Sequence, residues 1–121
     1  MLLNCIAVGI GGFIGSILRY LVGLLAPASS FPWTTLAINV VGSFALAVIA
    51  GMVLRGVLPD SELSLLLRVG LCGGFTTFST FSVETVSLAS EGAWMAALAY
   101  AVGTVILCVL AAFAGSYLTR A

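Results

Sequence analysis

Six hydroxyl side chains, Thr76, Thr77, Ser79, Thr80, Ser82 and Thr85, follow an adjacent glycine pair, Gly73-Gly74, in the stretch 70–85 of an otherwise apolar chain. Glycine lowers helix stability by roughly 1 kcal/mol relative to alanine, so the pair marks a place for a helix to open. An opened helix exposes two kinds of ligand group. Hydroxyls, together with the N–H groups that begin a second half-helix, donate to an anion; carbonyls released at the end of the first half-helix bind an alkali cation. Phe75, Phe78 and Phe81 are spaced by three and so lie near one another on a helix. They either pack against lipid and core or turn the positive edges of their rings toward an anion.

Six further positions could join such a site. Asn39 is the one strong polar group of its segment, and its amide needs partners for two donors and an acceptor, either as a clamp between helices or as a donor facing a ligand. Tyr100, Thr104 and Cys108 recur every four residues and share a helical face. That stripe is either an ion track or a set of groups bonded back to their own helix. Arg19 is a charge that snorkels to the interface or an electrostatic attractor at a pore mouth. Glu84, deep in an apolar run, has to be neutralised, hydrogen-bonded or facing water.

The elements that position these groups are membrane helices. With 62% hydrophobic and 7% charged residues and a mean hydropathy of +1.29, 121 residues carry more apolar surface than a small soluble domain can hide. A bilayer core takes about 20 apolar residues per helix, so the length holds four spans in one all-α domain, 1–121, and leaves no room for the machinery of a typical enzyme. No histidine is present, which argues against a transition-metal site, and zero net charge argues against nucleic acid. Cys5, Cys72 and Cys108 show no CxxC spacing and read as small buried hydrophobes.

The spans are predicted at about 3–25, 34–54, 63–89 and 93–118. The first carries no Lys or Arg before its apolar run and is interrupted by Arg19, so it reads as a retained helix and not as a cleaved leader. Gly11 and Gly15 on it, and Ser43, Ala47 and Gly51 on the second, are small-residue registers that let helices approach closely. The glycines of the first span do not spell a dinucleotide fingerprint, because Ile14 occupies the last glycine position. Trp33 suits an interfacial belt. The third span is expected to break at Gly73-Gly74. Four spans put Arg55, Arg68 and Arg120 on one side and Arg19 on the other, a positive-inside bias of two charges at most, which specifies orientation weakly.

Three motifs in order, Gly11-Gly12-Phe13-Ile14-Gly15-Ser16-Ile17-Leu18-Arg19-Tyr20, Pro32-Trp33-Thr34-Thr35-Leu36 through Asn39 to Gly42-Ser43-Phe44, and Cys72-Gly73-Gly74-Phe75-Thr76-Thr77-Phe78-Ser79-Thr80-Phe81-Ser82, resemble the Fluc (CrcB) family of fluoride channels over nearly the whole chain. The resemblance implies an antiparallel, dual-topology homodimer in the cell's inner membrane, with two narrow fluoride pores that export toxic fluoride passively. It implies a structural sodium ion held by main-chain carbonyls of Gly73 and Thr76 from both subunits. It maps the paired phenylalanines to Phe78 and Phe81, the pore asparagine to Asn39 and the first-helix arginine to Arg19. Thr77, Ser79 and Thr80 join the fluoride path as hydroxyl donors, and the polar track falls on Tyr100, Thr104 and Cys108, the last a thiol where a hydroxyl is expected. Glu84 matches an acidic family position of open role.

A four-span proton antiporter is the main rival, but it would be expected to carry a carboxylate in its first span, where this chain has only Arg19. A membrane scaffold would explain the small-residue faces but not the clustered hydroxyls and Asn39.

Overall fold

Four runs of helix long and apolar enough to cross a bilayer make up the computed structural model, which describes residues 1–120. The first, second and fourth are single helices, α1 (Leu2–Leu25), α2 (Trp33–Leu54) and α6 (Trp94–Leu118). The third run, Glu62–Ser90, is composite. It begins as α3 (Glu62–Leu65), widens into a π-helical segment (Leu66–Cys72), tightens again in α4 (Gly73–Phe75) and, after Thr76 and Thr77, resumes as α5 (Phe78–Ser90).

Local chemistry sets the ends. Gly56 (φ +70°) and Gly92 (φ +83°) adopt the left-handed backbone that closes a helix cheaply only with glycine. Gly56 N–H donates to Val53 O and Val57 N–H to Met52 O, at 3.0 and 2.9 Å, and Gly92 and Ala93 repeat the pattern on Ala89 O and Leu88 O. Both are Schellman endings, the second making the tight turn into α6. At the end of α6 the Arg55 Nη1 donates to Thr119 O at 2.7 Å, tying the last carbonyls of α6 to the end of α2.

Helix pairing is set by where side chains are missing. α1 lies along the π segment and α4, and α2 lies along α6. On the first pair, Gly11 and Gly15 face Gly70 and Gly74 so closely that a Cβ on Gly70 would stand 2.7 Å from Val8 O and one on Gly74 2.6 Å from Gly12 O. A Cβ on Gly11 or Gly15 would collide with Leu66 O or Leu71 O. Without a hydrophobic effect in lipid, such backbone-to-backbone contact is what van der Waals attraction between helices requires. On the second pair, a Cβ on Gly115 would stand 2.6 Å from Phe44 O and 3.0 Å from the Ala47 Cβ. Buried Phe81 and Leu88 of α5 pack on Ala97 and Tyr100 of α6. Most other large apolar side chains are exposed, Phe13, Leu24, Val83, Val105 and Phe113 among them, the inverse of a soluble protein. Trp33 and Trp94 stand exposed at the starts of α2 and α6, as interfacial belt residues do.

Two sequence expectations are corrected. Gly73 is helical (φ −64°, ψ −38°) and Gly74 lies within α4; the extended backbone is at Thr76 (ψ 159°) and Thr77 (φ −152°, ψ 113°). The close approach of α1 is what requires Gly74, not an opening at that residue. Of the cysteines, only Cys72 is buried, while Cys5 is exposed and Cys108 intermediate.

Candidate functional site

The interruption is held by redirected hydrogen bonds. Thr76 N–H and Thr76 Oγ1 both donate to Cys72 O, at 3.0 and 2.9 Å. The next N–H, Thr77, would reach Gly73 O in a continuous helix; it donates instead to Asn39 Oδ1 at 2.8 Å, and Asn39 Nδ2 donates back to Thr77 O at 3.0 Å. Thr77 Oγ1 accepts from Thr80 N–H at 3.2 Å and so caps α5, an arrangement worth about 1 kcal/mol. Two β-branched threonines, with a side-chain amide from α2 as substitute partner, thus make the extended step that the glycine pair does not.

These exchanges leave carbonyls at the end of α4. Gly74 O accepts from Arg19 Nε at 3.2 Å, which sets a cation against the negative end of that half-helix. Gly73 O and Thr76 O accept from no donor among the described residues. A Cβ on Gly73 would meet nothing within 4 Å, so this edge of the chain is open.

Against the interruption lies a cleft of ≈ 310 Å³ that brings together Asn39, Thr76, Thr77, Phe78, Phe81, Thr104 and Cys108, with Gly42 and Ser43 in its wall and no charged residue. Asn39 is 9% exposed, and its two bonds to Thr77 leave one amide N–H uncommitted. Thr104 is 4% exposed, and its Oγ1 is buried without a hydrogen-bond partner among the described residues. It does not bond back to its own helix. A buried hydroxyl left in this way calls for a ligand or a bound water. The rings of Phe78 and Phe81 are 5.4 Å apart. A larger cleft, ≈ 430 Å³ along Ser82, Val83 and Val86, lies on the far face of α5 and shares no residue with the interruption.

Other predicted site residues lie apart. Ser79 and Thr80 are exposed and do not line the cleft; the Thr80 hydroxyl accepts from Thr77 Oγ1 at 3.0 Å. Tyr100 is fully buried, its ring 5.1 Å from that of Phe81, and its hydroxyl donates to Glu84 Oε2 at 2.7 Å. Thr35 Oγ1 donates to the other oxygen, Glu84 Oε1, at 2.9 Å. Glu84 is therefore hydrogen-bonded, and lines a third cleft of ≈ 360 Å³ against the 27–34 segment. The sequence marks Glu84 and Tyr100 separately but not as partners, and shows Thr35 only as part of a motif. The only signal for Thr35 was a hydroxyl one helical turn before Asn39.

The arrangement offers neutral donors and two phenylalanine rings in one cleft, and carbonyls without donors beside it, with, among the described residues, no nucleophile–base pair there and no cluster of metal-ligating side chains. That is equipment for passing or holding ions. Comparison with known proteins agrees. A chain from Rhizobium meliloti (strain 1021) is 44% identical over 121 residues, covering 98% of this chain and 97% of the relative. One from Rhizobium etli (strain ATCC 51251) is 46% identical over 125 residues, with 99% and 98% covered. One from Paramagnetospirillum magneticum (strain AMB-1) is 46% identical over 113 residues, with 89% and 88% covered. Each of these relatives bears the name fluoride-specific ion channel FluC. The family profile described as CrcB-like protein, Camphor Resistance (CrcB), matches residues 6–116, a range that takes in most of α1, the Asn39 clamp, the interruption and the Thr104 face, and the chain belongs to that family.

Proposed function

We propose that this chain is the subunit of a fluoride-selective channel that lets toxic fluoride leave the cell passively across the inner membrane. The observation that carries the proposal is the cleft at the interruption. Its lining includes Asn39 with one uncommitted N–H, Thr104 with an orphaned hydroxyl, and the rings of Phe78 and Phe81, and α5 begins at its rim. These replace the water around a small anion without the full charge that would hold it in place. Passive conduction suffices because hydrofluoric acid crosses the membrane neutral and dissociates inside. The relatives' shared name supplies the choice of fluoride among small anions.

The active form is proposed to be an antiparallel homodimer, with a sodium ion between the two interruptions. The residues present fit such an ion. Gly73 O and Thr76 O accept from no donor among the described residues, and a Cβ on Gly73 would meet nothing within 4 Å in its own chain. Two copies would bring four neutral oxygens together, ligands of the kind a hard cation takes. The ion's contribution is charge balance for carbonyl dipoles that hydrocarbon would otherwise leave unpaired.

The deciding experiment is anion efflux from liposomes containing the purified protein. Fast fluoride efflux with chloride retained is expected; equal efflux of both ions, or none of either, overturns the proposal.

A further inference from the structure

The ends of α2 and α6 carry two arginines that the ion path does not use. Arg55 and Arg120 line a cleft of ≈ 310 Å³ whose floor is Ala47, Ala50 and Gly51 and whose lining contains no carboxylate side chain. Arg55 is held in place by its Nη1 bond to Thr119 O at 2.7 Å, so a guanidinium with its remaining N–H groups uncommitted is fixed at the rim. Arg120 makes no side-chain hydrogen bond among the described residues. It also lines an adjoining groove of ≈ 320 Å³ whose other walls include Phe113, Ala114 and Tyr117. Ser116 lines both.

The geometry points to a binding site for the phosphate-bearing headgroup of an anionic phospholipid, with the glycerol and upper acyl chain in the Phe113–Tyr117 groove. Both arginines stand just past the last turns of apolar spans, the depth at which lipid phosphates lie. Basic pockets between membrane helices are a recurring form of headgroup site. Two positive charges with no carboxylate side chain among the described lining residues favour a net-negative headgroup over a zwitterionic one, whose ammonium finds no side-chain partner there. Continuity with an apolar groove favours lipid over free phosphate. The small residues on the floor open the cleft; a Cβ on Gly51 would collide with the Thr119 side chain.

The test is native mass spectrometry of the purified protein exchanged into detergent containing phosphatidylglycerol or phosphatidylcholine. Retention of phosphatidylglycerol over phosphatidylcholine is expected. Arg55→Gln and Arg120→Gln should each lower that retention roughly fivefold, the factor one arginine contributes near an anionic surface. Arg55→Gln also removes the bond to Thr119, so Arg120→Gln, with helicity checked by circular dichroism, decides if the former misfolds. Equal retention of the two lipids, or unchanged retention in Arg120→Gln, overturns the proposal. Displacement of the lipid by millimolar inorganic phosphate also overturns it, because free phosphate would then be the occupant.

Discussion

Asn39 answers to both readings that its amide invites: it clamps α2 to Thr77 through two bonds and still offers one N–H to the cleft. Asn39→Ala leaves Thr77 N–H and O without partners, at about 1–3 kcal/mol for each buried group, and is expected to lower the denaturation midpoint as well as fluoride efflux. Asn39→Asp keeps the acceptor for Thr77 N–H but faces Thr77 O and the anion with negative oxygens. Efflux should vanish while the protein still purifies folded, and retained efflux would remove Asn39 from the path. The phenylalanines separate differently. Phe78 is 76% exposed and Phe81 8% exposed, so isoleucine at either should cut fluoride efflux, but Phe81→Ile should destabilise the subunit more. The ring contact with Tyr100 that it loses is worth about 0.5–1.5 kcal/mol. Equal thermal unfolding of the two variants would contradict this. The sequence made Asn39 conspicuous as an amide in an apolar run, but not its partner, because the bond joins residues 38 apart. Tyr100, which periodicity puts on one stripe with Thr104, donates instead to a carboxylate one helix away.

The helices themselves were legible, since apolar runs of bilayer length with turn residues between them admit little else; the π-helical segment Leu66–Cys72 and the position of the interruption were not. Glycine has two uses in a membrane helix, weakening it and letting a neighbour in, and propensity alone cannot tell them apart. Gly74 serves the second use, pressed against Gly12, while the extended step falls to Thr76 and Thr77 because Asn39 supplies what the helix forgoes. Thermal unfolding of alanine variants can separate the two uses. Gly70→Ala, with backbone 2.7 Å from its Cβ, should cost about 1–3 kcal/mol as overpacking. Gly103→Ala and Gly9→Ala, whose Cβ positions are open, should be neutral or stabilising by up to about 1 kcal/mol. If Gly70→Ala matched Gly103→Ala, close packing of α1 on the π segment would be the wrong account.

For the molecule as a whole, three arginines toward one side and one toward the other specify orientation weakly, and dual topology is expected from that near-balance. Reporters fused after Ala121 should be active on both sides of the membrane, and two lysines added to the 56–61 loop should bias insertion to one; a single-sided signal from the unmodified chain would contradict this. Sodium should raise dimer stability by mass action, so replacing it with a large organic cation throughout purification and assay should lower both the dimer fraction and fluoride efflux. Gly73→Ala adds a methyl group that touches nothing in its own chain; a dimer weakened by it, with subunit helicity unchanged, would locate the partner at this edge. Helix pairing has a mechanical consequence. α1 is joined mainly to the 62–75 half of the third span, and α5 and α2 to α6, so the chain is two plates that meet at Thr76-Thr77, where Asn39 pins them, and along the contact of α2 with the π-helical segment. Sliding one plate along the other would shift Gly73 O relative to the start of α5, so one motion would alter both the proposed cation site and the proposed anion cleft.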